Sequence, residues 1–336
     1  MKAVVFEKYG GYDVLEYKEI PTPKAGPGEA LVKVKAIGCN YNDVWGRRGE
    51  PMKVPLPHIS GSDASGIVEQ VGPGVTNVKV GDEVIVHSAM PAYGRREGQE
   101  YNIWGFESGP LQGAMGEYFT VPAESLLPKP KNLTHEEAAS LGLVLVTVWR
   151  MLVSKGGIRP GDYVLIWGAA GGLGVFAIQV CKLFRAHAIA VASSDEKLER
   201  CKELGAEFLI NRKTQDISQE LRKIVGRRGV DIVFEHPGAA TIGLSLRLAK
   251  WGGKVISCGA TSGYDANIDL RHIFFRQVSL IGSTMGTVNE LADALKMVEE
   301  GHIKPVIHKI LPLSEAGEAE RLIEEDEAVG KVILVP

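Results

Sequence analysis

The sequence predicts an α/β chain in which a doubly wound parallel sheet follows a β-rich unit. Three observations point there. Between residues 163 and 285 apolar strands alternate with amphipathic helices, the pattern of βαβ units covered on both faces. The first of those strands runs into a glycine-rich turn, "WGAAGGLG" (167–174), that opens a helix. Residues 1 to about 127 instead carry short apolar runs between glycine and proline turns, as a small barrel or sandwich would.

The β-rich unit is read from "KAVVFEK", "EALVKVKAIG", "SGIVEQVG", "GDEVIVHS" and "GEYFTVP". After "LPKPKNLT" the pattern changes. Thr134 is placed to cap a helix, with Glu137 three residues on as its capping-box partner. The strands that follow are "YVLIWG" (163–168), "AIAVAS" (188–193), "EFLIN" (207–211), "DIVFEH" (231–236), "KVISCG" (254–259) and "SLIGSTM" (279–285). Helices between them are expected to start near Leu173, Asp195, Asp216, Ala240 and Arg271. A last helix, "NELADALKMVEEG" (289–301), precedes a short β segment and the terminal "KVILVP". That tail is too short for a core of its own and should pack back on the first domain. The domains expected are therefore 1–127, 128–285, and a return to the first over 286–336.

The 336 residues carry a net charge of −3, with acids and bases scattered along the chain. That balance argues against nucleic acid or an anionic membrane as partner. Tyr163 to Cys181 has no formal charge, but its four glycines suit a buried strand-turn-helix better than a membrane span. The N-terminal "MKAVVFEKYGG" lacks the apolar core of a signal peptide. Cys39, Cys181, Cys201 and Cys258 are far apart in sequence, so no zinc-knuckle spacing exists, and free thiols in the cytoplasm are expected.

The glycine-rich turn carries the most specific signal. Ala169, Gly171 and Gly174 follow an A-x-G-x-x-G variant of the dinucleotide fingerprint, with Gly172 and Leu173 completing the turn. Gly171 lets backbone approach a pyrophosphate, and Gly174 lets the helix pack close to the strand. The helix N-terminus offers amide N–H groups and a positive dipole end to phosphates. An NAD site usually ends its second strand on Asp or Glu, which binds the ribose 2′-OH. Here the strand ends on Ser193 and Ser194, with Lys197 four residues after Ser193 and Asp195 displaced into a helix start. Arg212 follows the third strand. Small hydroxyls plus cations favour the 2′-phosphate of NADPH; the bland reading leaves Lys197 and Arg212 as solvated surface charges.

"VDIVFEHPG" (230–238) poses a further question, because a buried strand delivers an acid and an imidazole at its tip. Ligands of open α/β sheets bind beyond the carboxyl ends of the strands, so Glu235 and His236 are expected to face the nicotinamide cleft.

At this point the whole chain resembles the medium-chain dehydrogenase/reductase superfamily. The resemblance implies a GroES-like catalytic domain, an inserted Rossmann NADPH-binding domain and a return to the first. Zinc enzymes of that superfamily carry a Cys in G-x-C-H/G-x-D and a His in G-H-E. This chain reads "GCNYND" (38–43) and "GSDASG" (61–66), so Asn40 stands at the Cys position and Ser62-Asp63 replace His-Glu. Cys39 is one residue off, which on a strand turns it to the other face. No metal is expected. The segments "NYNDVW", "ISGSDASGIV", "VGDEVIVH", "IWGFES", "WGAAGGLGVFAIQ", "LINRK", "DIVFEHPGAAT" and "GATSGY" resemble the crotonyl-CoA carboxylase/reductases within the zinc-free branch.

That resemblance implies NADPH-dependent reduction of the C=C bond of a short 2-enoyl-CoA through an enolate. The enolate is either protonated or captures CO2. It also implies a CO2 pocket made of Asn42 or Asn40, Phe106, Glu107 and His236, with the two domains supplying it jointly. Gly259, at the head of "GATSGY", is the further cofactor position. Asn40 and Asn42 as turn residues, Phe106 as core and His236 as a structural histidine are the plain alternatives. Arg47, Arg48, Arg95 and Arg96 are candidates for the CoA phosphates, or solvated surface. The competing functions are a zinc-free quinone or enone oxidoreductase and a non-enzymatic NADPH-binding protein. A homodimer or homotetramer is expected. The family's known carboxylating members are longer, which leaves a compact reductase that mainly protonates its enolate equally open.

Overall fold

A computed structural model describes residues 1–51, 53–91, 101–106 and 112–336. The chain divides into two compact units. The first holds residues 1–143, 287–299 and 304–336, and the second holds 144–286 and 300–303.

The first unit opens with the antiparallel pair β1 (Lys2–Val5) and β2 (Glu16–Glu19). Then come β3 (Glu29–Gly38), α1 (Tyr41–Arg48), β4 (Asp63–Val71) and β5 (Glu83–Val86). A small ribbon pairs β6 (Ala89–Pro91) with β7 (Tyr101–Ile103). β8 (Tyr118–Pro122), β9 (Leu126–Pro128) and α2 (His135–Ala139) follow. Thr134 caps α2 as its sequence suggests: its hydroxyl accepts the Glu137 N–H at 3.2 Å, and the Glu137 carboxylate accepts the Thr134 N–H at 2.9 Å. α3 (Gly142–Trp149) leads into the second unit.

There the strands β10 (Tyr163–Ile166), β11 (His187–Ala192), β12 (Phe208–Asn211), β13 (Val230–Glu235), β14 (Ala249–Ser257) and β15 (Ser279–Gly282) form one sheet. Its order is β12-β11-β10-β13-β14-β15, and every pairing is parallel. The intervening helices are α4 (Gly174–Leu183), α5 (Asp195–Leu204), α6 (Ile217–Val225), α7 (Ile242–Leu248) and α8 (Leu270–Phe274). The order reverses at β10, which is the doubly wound pattern expected. All six residues of β13 are buried, which explains why it reads as continuous apolar sequence rather than as an alternation. Its core includes Leu165, Ile189, Val191, Val233, Leu246 and Val255.

The chain then returns to the first unit through α9 (Val288–Glu299), β16 (Ile307–Pro312), α10 (Ala316–Glu324) and β17 (Lys331–Val335). β17 pairs antiparallel with β3, matching Ile333 to Gly38, and closes the sheet order β16-β17-β3-β4-β5-β9 with β8 also on β3. Val32, Ile37, Cys39, Phe119 and Val332 lie in its core. Among the described residues no helix is long and apolar enough to cross a membrane.

Candidate active site

In the second unit the carboxyl ends of the parallel strands gather most of the expected cofactor residues. β10 ends at Ile166, two residues before the strand read from sequence, because the chain then crosses between neighbours. Trp167 N–H bonds the Phe234 carbonyl at 3.2 Å, and Ala169 N–H bonds the Val191 carbonyl at 3.0 Å. Gly168 turns here with φ +55°, a region that favours glycine. A Cβ on it would sit 2.7 Å from the His236 ring. A Cβ on Gly174 would sit 2.4 Å from the Ala169 Cα, so this glycine sets the close approach of α4 to the turn. Gly171, Gly172 and Leu173 lie between them; the Gly171 N–H closes the turn on the Gly168 carbonyl at 2.9 Å, and Gly172 and Leu173 lead into the N-terminal turn of α4, where amide N–H groups lack intrahelical partners. A dinucleotide pyrophosphate fits that arrangement.

The second strand, β11, ends at Ala192; Ser193, which is buried, follows it, and Ser194 caps α5 by accepting the Lys197 N–H at 3.3 Å. Lys197 lies in the first turn of α5. Arg212 lies past β12, with its N–H on the Ala192 carbonyl at 3.0 Å. The nearby acid is occupied: Asp195 accepts the Asn211 side-chain amide at 2.7 Å. Gly259 follows β14, and a Cβ there would meet the His236 carbonyl at 2.8 Å.

The tip of β13 divides its two polar residues. His236 stands beside the glycine turn with Nε2 2.9 Å from the Trp167 carbonyl. A carbonyl only accepts, so Nε2 carries the proton. The neutral ring has that single N–H, and a second donor requires the imidazolium. Glu235 does not face a cleft as the sequence suggested. It is fully buried and accepts from Gly238 N–H at 3.0 Å, Thr241 Oγ1 at 2.7 Å and Ser245 Oγ. Ser245 in turn accepts the Trp167 indole N–H at 2.8 Å. Burial pushes the Glu235 carboxyl above its usual range, against those hydrogen bonds. Glu235 therefore pins the turn before α7 and the Trp167 segment that holds His236.

In the first unit the two asparagines separate. Asn40 has its amide committed. Its N–H groups reach the Gly38 carbonyl at 3.1 Å and the Asp63 carboxylate at 2.9 Å, and its oxygen accepts from the Lys331 ammonium. Lys331 also donates to the Cys39 carbonyl at 2.6 Å and lies 3.3 Å from Asp63. Asn42 donates to Ser62 Oγ at 2.7 Å, and Ser62 spends its own proton on the Trp104 carbonyl at 2.7 Å. That sequence of donors fixes the amide orientation. It leaves the Asn42 Oδ1 buried with no partner among the described residues, and one N–H still to place. Phe106 is buried in an apolar cluster with Phe6, Val14 and Val54. Glu107 lies outside the described residues, as do Arg95 and Arg96.

A catalytic zinc does not fit these positions. The Cys39 side chain lies in the apolar core, where burial holds its thiol well above the ordinary range. Asn40 and Asp63 already hold the Lys331 ammonium. Among the described residues no three His, Cys, Asp or Glu side chains come together as metal ligands. Arg47 is not a phosphate ligand at the surface either. It is buried, with Nε 2.6 Å from Glu320 and a second nitrogen 2.6 Å from Glu324, which Arg48 also contacts.

Sequence reasoning missed Lys331, Glu320 and Ser245. Lys331 had a signal: it heads a Val-Ile-Leu strand, where a buried ammonium needs acceptors waiting for it.

Comparison with known proteins adds the following. An alcohol dehydrogenase GroES-like domain matches residues 26–131, and a zinc-binding dehydrogenase domain matches residues 172–300. A crotonyl-CoA reductase of Streptomyces collinus is 38% identical over 94% of this chain and 80% of its own length. A solved NAD-dependent alcohol dehydrogenase superposes with a TM-score of 0.93 at 42% identity, covering 100% of both chains. The 2-octenoyl-CoA carboxylase reductase CinF, solved with NADP and 2-octenoyl-CoA, superposes with a TM-score of 0.88 at 37% identity, covering 96% of this chain and 82% of that one.

Proposed function

Because the chain belongs to the medium-chain dehydrogenase/reductase superfamily, in the group of the crotonyl-CoA carboxylase/reductases, we propose that it reduces a short 2-enoyl-CoA with NADPH. The product of the first step is a thioester enolate. Protonation at its α-carbon gives the saturated acyl-CoA, and capture of CO2 gives a carboxyacyl-CoA. The observation that carries the reading is the imidazole of His236, fixed by the Trp167 carbonyl directly against the glycine turn.

Bound NADPH supplies a hydride to the β-carbon. The residues of the chain bind, orient and exclude. The amides of Gly172 and Leu173 take the pyrophosphate at the α4 N-terminus, and Gly171, whose N–H turns back to the Gly168 carbonyl, keeps the backbone bare beside it. Ser193, Ser194, Lys197 and Arg212 take the 2′-phosphate, and Gly259 leaves room for the cofactor beside His236. His236 holds a CO2 oxygen as an imidazolium, since its Nε2–H is spent on Trp167. Asn42 offers its remaining N–H, with Ser62 holding the amide plane. Glu107 orients water or His236, and Phe106 forms an apolar wall that limits protonation. The orientation of Asn42 and the commitment of Asn40 favour Asn42 over Asn40 for this role. No zinc takes part in this reading: donors to the developing enolate replace a Lewis acid. β15 is one of the two outer strands of its sheet, and its open edge supports a homodimer or homotetramer by edge-to-edge pairing; the enzyme is read as cytoplasmic.

The test is product analysis by mass spectrometry with crotonyl-CoA and acryloyl-CoA, with and without CO2. Butyryl-CoA or propionyl-CoA alone identifies a plain reductase, and a dicarboxylic thioester appearing with CO2 identifies a carboxylase. Turnover of benzoquinone but not of either thioester, followed at 340 nm, would replace the reading with that of a quinone reductase. Cofactor binding without any turnover would leave a non-enzymatic NADPH-binding protein.

A further inference from the structure

The second unit carries a basic cleft at the end of the sheet away from the glycine turn. It measures about 260 Å³ and is lined by Ser218, Leu221, Gly226, Gly229 and Leu248 together with four arginines, Arg222, Arg227, Arg247 and Arg276. These residues come from α6, the α6–β13 turn, the end of α7 and the segment before β15. Gly226, Arg227 and Gly229 lead into β13, Arg247 and Leu248 into β14, and Arg276 into β15, so the cleft borders the amino ends of these parallel strands, whereas His236 and the glycine turn sit at the carboxyl ends. The length of β13, roughly 17 Å, separates the two.

The charges in this cleft are not neutralised. Among the described residues none of the four guanidiniums pairs with a carboxylate. Arg247 reaches only the Ser218 hydroxyl, at 3.5 Å. Arg276 is half-buried and held in place by the Arg247 carbonyl at 3.0 Å, the Ala249 carbonyl and His272 Nδ1 at 3.2 Å. Arg222 and Arg227 are exposed beside them. The neighbouring acids are already engaged. Asp231 is shared by Arg228 at 2.8 Å and by Lys250, and Glu220 is paired with Lys223 at 2.7 Å. Four like charges around one cleft repel each other, and an anion there would relieve the cost. Guanidinium forks match phosphoryl oxygens bidentately, and buried Leu221 and Leu248 give the cleft an apolar floor.

We propose that this cleft is a binding site for a small polyanion carrying at least two phosphoryl groups, distinct from the cofactor turn. Inorganic polyphosphate and nucleotide polyphosphates share that chemistry.

The experiment is calorimetric titration of tripolyphosphate, and separately of ADP, into the protein saturated with NADPH. Saturable binding is expected, with a matching rise in Tm. The double variant Arg222→Gln/Arg227→Gln should weaken it by about tenfold or more, since each charge-assisted hydrogen bond is worth about that factor. Lys223→Gln, which removes the neighbouring cation paired with Glu220, should leave it unchanged. Tighter binding of ADP assigns the site to nucleotides, and tighter binding of tripolyphosphate assigns it to inorganic chains. The proposal falls if no saturable binding appears, if the double variant binds as well as the parent, or if Lys223→Gln weakens binding equally. It also falls if a short single-stranded RNA displaces tripolyphosphate at lower concentration than ADP does, because the surface then serves nucleic acid.

Discussion

The Trp167 carbonyl sets the chemistry of His236. It consumes the only N–H of the neutral ring, so the residue grips a second acceptor only when charged. His236→Ala should therefore keep enoyl-CoA reduction but lower the ratio of carboxylated to reduced product by about tenfold, the worth of one charge-assisted hydrogen bond. An unchanged ratio under saturating bicarbonate would remove the residue from the reaction. In the proposed reading the choice of NADPH rests on another side chain. Lys197 sits in the first turn of α5, where Ser194 fixes the backbone. Lys197→Ala should raise KM for NADPH about tenfold and leave KM for NADH nearly unchanged. If NADH serves the parent protein as well as NADPH does, the cation has no phosphate to hold. Glu235 shows how a residue can be misread from its position at a strand tip. Proximity in sequence put it beside His236, but strand alternation sends consecutive side chains to opposite faces, and Glu235 went inward to Ser245 and Thr241.

At the level of elements, α1 is tied down by buried charge. Asp43 in its first turn accepts the N–H of Asn40 at 2.8 Å and of Gly61 at 3.0 Å. Burial, with the Glu320 carboxylate adding to it, pushes Asp43 up to about 7 against those two bonds. Its folded pKa is raised, so the folded state holds a proton that the unfolded state releases near 4. Its contribution to stability is complete below pH 4 and is lost as pH rises through about 7. Glu320 and Glu235 shift in the same direction. Tm should therefore fall between pH 5 and pH 8, and Asp43→Asn should flatten that slope; a Tm that rises over this window contradicts the assignment. The elements of the parallel sheet were readable because each has a local cause: a capping residue, an apolar run, a glycine where φ is positive. Asp216 caps α6 by accepting the Gln219 N–H at 2.8 Å, as its place before an amphipathic run suggests. The site in the first unit was legible only as a choice. Two asparagines flank one helix start, and what separates them is Lys331, 291 residues further along the chain. Arg47 was read as a surface base for the same reason, because Glu320 and Glu324 lie 273 and 277 residues away.

For the whole molecule, the edge of the six-stranded sheet is the feature with the largest consequence for assembly. β15 carries Leu280 at 41% exposure, and Trp251, Phe274 and Phe275 nearby are more exposed still. An outer strand with such neighbours is a template for a second copy, and a two-fold axis lets the strand pair with itself. Light scattering should give twice the chain mass, and Leu280→Lys should return it to one; a parent protein that runs as a monomer at micromolar concentration removes the dimer. The order in which the chain is laid down matters as well. Residues 144–286 form one uninterrupted stretch, so that unit can complete its sheet while synthesis continues. The other unit waits for its last strand, because Lys331 must reach Asn40 and Asp63 before their buried polar groups are satisfied. A nascent chain that has emerged from the ribosome as far as residue 286 would display a finished six-stranded sheet joined to an open, protease-sensitive first unit, and release of residues 287–336 would close it.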